Sequence, residues 1–277
     1  MVHVPGLLEI NTGLARKILT SFLREEITRA GMTCGVIGLS GGVDSALSCC
    51  LAAEALGPAN VLAVRMPYKQ SSADSLRHAE QVIQATGVKS LTIDITPMVE
   101  PLFKQVPSID ARRKGNIMAR ERMIILFDQS AECNGLVIGT GNKTEIMLGY
   151  TTLYGDSACA LNPLGDLYKT QVRQLAREVG VPEGIVAKPP TADLWAGQTD
   201  EGELGFTYEE VDKLLYLLVD ERYSPEECVQ AGFKKAFVER VVEIVRRNQF
   251  KRVLPPIAKL SHRTVGYDFL YLRDWGT

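Results

Sequence analysis

Apolar residues recur along this chain at two periods, and the switches between them divide it into elements. Leu14, Ile18, Phe22, Leu23 and Ile27 fall three or four apart, which predicts an amphipathic first helix. Residues 34–39 form a short apolar run that reads as a buried strand, broken by Ser40-Gly41-Gly42. A helix is predicted over 43–56, closed by Gly57 and Pro58. Residues 61–64 read as a second strand and 68–74 as a polar loop. A helix then runs to about residue 85, with Gly87 past its end, and 91–95 read as a third strand. Helical patterning returns over about 111–133, and 136–139 read as a fourth strand. Short strands alternating with longer helices predict an α/β fold, a doubly wound parallel sheet flanked by helices and Rossmann-like in layout. The last third changes character. Val211, Leu214, Leu215 and Leu218 make one helical stripe and Phe237, Val241, Ile244 and Val245 another, with no strand, repeat or low-complexity linker. A helical C-terminal extension on a single domain, 1–277, is expected.

Composition narrows the class. Of 277 residues, 45% are hydrophobic and 23% charged, enough apolar material for a sizeable core, which excludes a disordered chain. Lys and Arg number 31 against 33 Asp and Glu, and the net charge of −2 offers no broad field for nucleic acid or an anionic membrane. The six cysteines form no C-x-x-C pair, which argues against a zinc ribbon, a redox dithiol or a disulfide framework and for buried, reduced thiols. Glu9, Arg16, Lys17 and Arg24 interrupt any apolar leader. The longest apolar stretches, such as residues 214–219, fall far short of the roughly 18 to 20 residues that span a bilayer. A cytoplasmic protein with no membrane and no nucleic-acid partner is the expectation.

The chemistry gathers at the first break. Gly38, Leu39, Ser40, Gly41, Gly42, Val43, Asp44 and Ser45 join a strand to a helix, and in an open parallel sheet ligands bind beyond the carboxyl ends of the strands. Two glycines let the backbone approach an anion, and the helix N-terminus offers free N–H groups to phosphate. Ser40 and Ser45 add hydroxyls, and Asp44 is placed to hold Mg²⁺ against phosphate oxygens. No lysine follows the glycines, so the loop is not a Walker motif; nor is it G-x-G-x-x-G, so a dinucleotide redox fold is unsupported. From the residues alone, a Ser/Gly turn that merely caps the helix, with Asp44 complementing its dipole, stays open.

The Ser-Gly-Gly-Val-Asp-Ser run at 40–45 resembles the pyrophosphate loop of the N-type ATP pyrophosphatases, which cleave ATP between its α and β phosphates. Four later segments resemble the NAD synthetase branch of that superfamily in order and spacing. Residues 115–120 are similar to its G-N-x-x-A-R, which implies that Arg120 touches deamido-NAD. Residues 139–145 resemble a segment that makes Thr140 an ATP contact and Glu145 a second Mg²⁺ ligand beside Asp44. Residues 149–156 resemble G-Y-x-T-K-Y-G-D, which puts Asp156 on the substrate side, and Lys169 matches the lysine that binds ATP and offsets charge on pyrophosphate. Leu153 stands where many members carry a substrate-contacting lysine, and Ala160 where an aspartate often does the same. Residues 190–205 resemble P-T-A-D-L…Q-[ST]-D-E…E-L-G, the most discriminating segment, and make Thr191 an ATP contact. Lys251 matches the C-terminal segment that closes over substrate, while Phe250 replaces its usual histidine.

The resemblance spans roughly residues 34–256. It implies amidation of deamido-NAD by ammonia, giving NAD, AMP and pyrophosphate through an adenylate, with ATP as co-substrate and Mg²⁺ as cofactor. Asp44, Glu145 and Lys169 are then the catalytic set. A phosphate loop that begins at residue 40 leaves no room for the amidase (glutaminase) domain of glutamine-dependent members, so ammonia is the expected nitrogen source. A homodimer is implied as well. Loops at 68–74 and 197–205 are expected to close over the adenylate. The competing readings are another enzyme of the superfamily, tRNA-modifying or GMP synthetase-like, and a non-catalytic ATP-binding sensor. The net charge and the 190–205 segment speak against the first, and the two carboxylates with Lys169 against the second.

Overall fold

The computed structural model of this chain describes residues 6–191 and 199–269. Helix α1 (Thr12–Arg29) leads into strand β1 (Cys34–Gly38) and helix α2 (Val43–Leu56). β1 is buried on both faces because it serves two cores. Ile37 joins the cluster beneath α2, and Val36 joins the cluster on the other side of the sheet. β2 (Val61–Arg65) repeats the division, with Val61 and Ala63 on one face and Val64 on the other. Near-continuous apolar runs are what parallel strands covered on both sides require.

Helix α3 (Ala73–Thr86), closed by Gly87 at φ 69°, carries the chain to β3 (Lys89–Thr92). Helices α4 (Thr96–Gln105) and α5 (Ala111–Glu132) then return it to the far side of β1, where β4 (Gly135–Val137) pairs. All pairings are parallel and the strand order is β3-β2-β1-β4. The direction of winding therefore reverses between β1 and β4, and the crevice at their carboxyl ends is where an open sheet binds ligands.

A helical region follows that begins well before the expected extension: α6 (Lys143–Leu148), α7 (Lys169–Glu178), α8 (Glu183–Val186) and α9 (Asp200–Leu204) precede the expected helices, α10 (Tyr208–Leu215) with a π-helical turn over Tyr216–Asp220, α11 (Pro225–Gln230) and α12 (Lys235–Arg247). It has its own core, built on Tyr168, Tyr208, Val211, Leu214, Val238 and Val241, and α7 also packs against α2 of the sheet layer.

Several expectations are corrected. The apolar stripe of α1 does not all face inward: Leu14 and Ile18 are 54% and 57% exposed, while Thr20, Leu23 and Ile27 form the buried face against α2 and α7. The third strand lies at Lys89–Thr92 rather than 91–95, because its register on β2 pairs Lys89 with Leu62 and Thr92 with Arg65. Asp94 Oδ1 then accepts the Thr96 N–H at 2.8 Å and starts α4, a helix the spacing did not reveal. Cys49 and Cys228 are buried, as expected of the thiols, but the other four cysteines are only partly so; all six are free.

Candidate active site

Gly38 ends β1 and Val43 opens α2, so residues 39–42 turn at the carboxyl end of a central strand. Gly41 sits at φ 82°, and a Cβ there would lie 2.2 Å from the Ser75 carbonyl oxygen, so only glycine lets α3 close on this turn. The Ser40 and Ser45 hydroxyls lie 3.1 Å apart, and Ser45 Oγ donates to the Gly42 carbonyl at 3.0 Å. Gly42 is the N-cap of α2 and offers no side-chain cap bond. The first-turn N–H groups therefore remain open to an anion, which favours the phosphate-loop reading over the simple capping turn.

Two more helices begin at the same place. α6 opens with a capping box in which Asn142 Oδ1 accepts the Glu145 N–H at 3.0 Å and Glu145 Oε2 accepts the Asn142 N–H at 3.3 Å. α7 opens with Lys169 itself. Lys169 Nζ, 3% exposed, donates to Asp44 Oδ2 at 2.5 Å and Glu145 Oε1 at 3.1 Å. Burial opposes charge on Lys169, but Asp44 and Glu145 outweigh it and hold the ammonium above its ordinary value. Burial likewise raises Glu145 above the usual carboxylate range, against the pull of Lys169.

Further residues fix this trio, and the motifs did not single them out. Asn142, fully buried, donates through Nδ2 to Asp44 Oδ1 at 2.8 Å. The Lys169 N–H donates to Thr144 Oγ1 at 3.0 Å, and that hydroxyl donates to Asp212 of α10 at 2.6 Å. Asp212, also fully buried, accepts the Thr170 N–H at 2.8 Å, so the helical extension sets where α7 starts. Asp200 receives the hydroxyls of Tyr208 at 3.2 Å and Tyr150 at 3.3 Å, and the Tyr208 ring centroid lies 5.2 Å from Lys169 Nζ. Two of these left a trace in the sequence: the Asn-x-x-Glu spacing at 142–145 is a capping-box signature, and Asp212 is an acid set inside an apolar stripe.

A cavity of about 1130 Å³ opens over the trio and is bordered by every candidate residue except Gly41. That exceeds the roughly 300–1,000 Å³ of a site for one drug-sized ligand and leaves room for a nucleotide and a second substrate. Thr140 and Thr191 line it with the loop. Arg120, Asp156 and Lys251 gather around the 149–156 segment. Arg120 donates to the Leu153 carbonyl at 3.1 and 3.2 Å, and Asp156 Oδ1 accepts the Thr152 N–H at 2.7 Å. Lys251 Nζ donates to the carbonyls of Gly149 at 2.6 Å and Thr151 at 2.8 Å, and burial and Arg112 lower its affinity for a proton against Asp156. Of the expected closing loops, 68–74 is a turn with Tyr68 buried, and its end already belongs to α3. The segment 197–205 is largely helix α9, and residues 192–198, with much of the 190–205 motif, lie outside the described residues.

For Mg²⁺ the donor set fits. Asp44 and Glu145 present hard carboxylate oxygens to one point, and an ammonium already sits between them. Among the described residues no group of three or more His, Cys, Asp or Glu could hold a metal. A cation here would thus take two carboxylates and complete its shell from ligand oxygens and water, the habit of Mg²⁺.

The model of the family described as NAD synthase matches residues 15–255. Over 269 residues the chain is 59% identical to the NH(3)-dependent NAD(+) synthetase of Trichlorobacter lovleyi, covering 97% of this chain and 98% of that one. Among solved structures, NMN synthetase from Francisella tularensis superposes with a TM-score of 0.81 at 32% identity, over 91% of this chain and all (100%) of that one. An NH3-dependent NAD synthetase from Campylobacter jejuni, in complex with the nitrate ion, gives 0.77 at 31% identity, over 90% and 100%.

Proposed function

Because the chain belongs to the NAD synthase family, we propose that it joins ammonia to the nicotinate carboxylate of deamido-NAD with cleavage of ATP. The products are NAD, AMP and pyrophosphate, and the enzyme is an ammonia-dependent ligase forming a C–N bond. The observation that carries this reading is the meeting of Asp44, Glu145 and Lys169 at three helix N-termini beside the 39–42 turn. Nothing in the comparisons favours a tRNA-modifying or GMP synthetase-like enzyme, or a sensor.

The reaction needs no protein nucleophile, since the substrate carboxylate attacks the α-phosphorus and ammonia then attacks the activated carbonyl. What it needs is positioning and stabilisation of phosphate charge. The N–H groups at the start of α2, with the Ser40 and Ser45 hydroxyls, take phosphate oxygens. Lys169, locked by its carboxylates and by Thr144, presents a fixed positive charge to the phosphates. Thr140 and Thr191 bind ATP, while Arg120, Asp156 and Lys251 hold deamido-NAD around the 149–156 segment. Leu153 takes part through its carbonyl, which orients the Arg120 guanidinium, rather than through a charged side chain. When bound by Asp44 and Glu145, Mg²⁺ supplies neutralisation of the triphosphate.

We infer that residues 1–277 form one synthetase unit, a reading supported by their near-complete coverage of the ammonia-dependent relative. A homodimer is supported by Ile124 and Phe127, which stand one turn apart on α5, 56% and 40% exposed, on the helix that carries Arg120. Six free cysteines fit a reducing, cytoplasmic setting. The nitrogen source is tested by supplying ammonium or glutamine with ATP and deamido-NAD. NAD is expected from ammonium alone, and equal rates from glutamine with the purified chain would contradict the assignment.

A further inference from the structure

We propose that Lys188 is a second phosphate-binding lysine of this site and takes the leaving pyrophosphate during adenylation. The proposal rests on the ATP-cleaving function just given. Lys188 follows α8, lines the cavity and donates through Nζ to Ser75 Oγ at 3.0 Å. Ser75 is the residue whose carbonyl closes against Gly41, so the ammonium stands one serine side chain away from the tightest point of the phosphate loop. Its field reaches that loop. His78, buried in the next turn of α3 and hydrogen-bonded to the Gly41 backbone, is held below the usual imidazole value by burial and then by Lys188 and Arg77, against Asp74.

Lys188 meets no acid among the described residues, and its partner is a neutral hydroxyl. The other lysines lining the cavity differ. Lys169 is shared by two carboxylates, and Lys251 is turned to the carbonyls of Gly149 and Thr151. In adenylation a carboxylate oxygen bonds to the α-phosphorus, the bond to the bridging oxygen breaks, and its electron pair leaves with pyrophosphate; no proton moves. Negative charge therefore grows at the end of the triphosphate that the loop holds, and a Walker loop would meet it with its own lysine. This loop has none, and Lys188 adds a cation from the α8 side to the one that Lys169 provides.

The test is calorimetric titration of Mg·pyrophosphate into the whole protein and its K188A, K188R and S75A variants, each first shown to melt cooperatively. Affinity is expected to fall about tenfold or more in K188A, and to stay within about threefold of the parent in K188R and S75A. In turnover K188A raises KM for ATP and weakens product inhibition by pyrophosphate, with KM for deamido-NAD unchanged. Parent-like binding by K188A would overturn the proposal, as would an equal loss in S75A, which would make Lys188 a scaffold contact only. Pyrophosphate binding needs no acceptor, so this readout holds even where amidation fails.

Discussion

Lys169 illustrates how little a side chain's place in sequence says about its environment. As a residue following a polar turn it could sit on a helix surface, yet it is 3% exposed and gripped by Asp44 and Glu145. K169M removes the ammonium and leaves two carboxylates facing one another, so kcat/KM in steady-state assay is expected to fall at least about 100-fold. K169R is expected to recover only part, because a planar fork does not replace a compact ammonium between two carboxylates. His78 gives a prediction in pH. Its proton affinity is lowered in the folded chain by burial, Lys188 and Arg77, so protonation favours unfolding. The stability it contributes is complete above pH 6.5, the ordinary imidazole value, and is lost as the pH falls from there through the lower folded value. Thermal melts should show a decline as the pH falls below 6.5 that is smaller in H78Q; an H78Q melt with the same acid dependence as the parent would count against it.

Among the elements, the helix caps separate stability from function. α6 and α10 both begin with capping boxes, at Asn142 and Thr207, but Asn142 also holds Asp44. T207A is expected to cost about 0.5–1 kcal/mol in denaturant unfolding with activity retained. N142A is expected to cost about 1–2 kcal/mol and to raise KM for ATP as well. The same scale shows what periodicity reveals and what it misses. β1 and the phosphate turn were plain in the sequence, since two-sided burial writes a continuous apolar run and the glycines mark the break. α1 was legible as a helix but not in its facing, because Leu14 and Ile18 share the stripe of Leu23 and Ile27 and only packing against α2 and α7 decides which are covered. β3 was displaced because an edge strand takes its register from its neighbour, and Asp94 turns its apolar end into a helix start. Local pattern marks Asn142 and Asp212 but not their partners Asp44 and Thr144, which lie far off in sequence.

For the molecule as a whole, the reversal of winding between β1 and β4 brings α2 and α6 to one crevice, and the C-terminal helices complete it through Asp212, Tyr208 and Lys251. The apolar pair on α5 then gives a prediction for assembly: sedimentation velocity should find twice the chain mass, and I124E should shift it toward the single chain. A parent chain that sediments as a monomer at all concentrations would contradict it. The central claim is tested most directly by resolving the nucleotides formed from Mg·ATP and ammonium with either deamido-NAD or nicotinate mononucleotide as acceptor. The mononucleotide arm matters because one structural neighbour is an NMN synthetase and because Leu153 and Ala160 stand where the sequence resemblance leads one to expect a lysine and an aspartate. NAD and AMP in equal amounts from deamido-NAD, with far less product from the mononucleotide, is the predicted result. Preferential amidation of the mononucleotide, or AMP formed without any amide, would contradict the account.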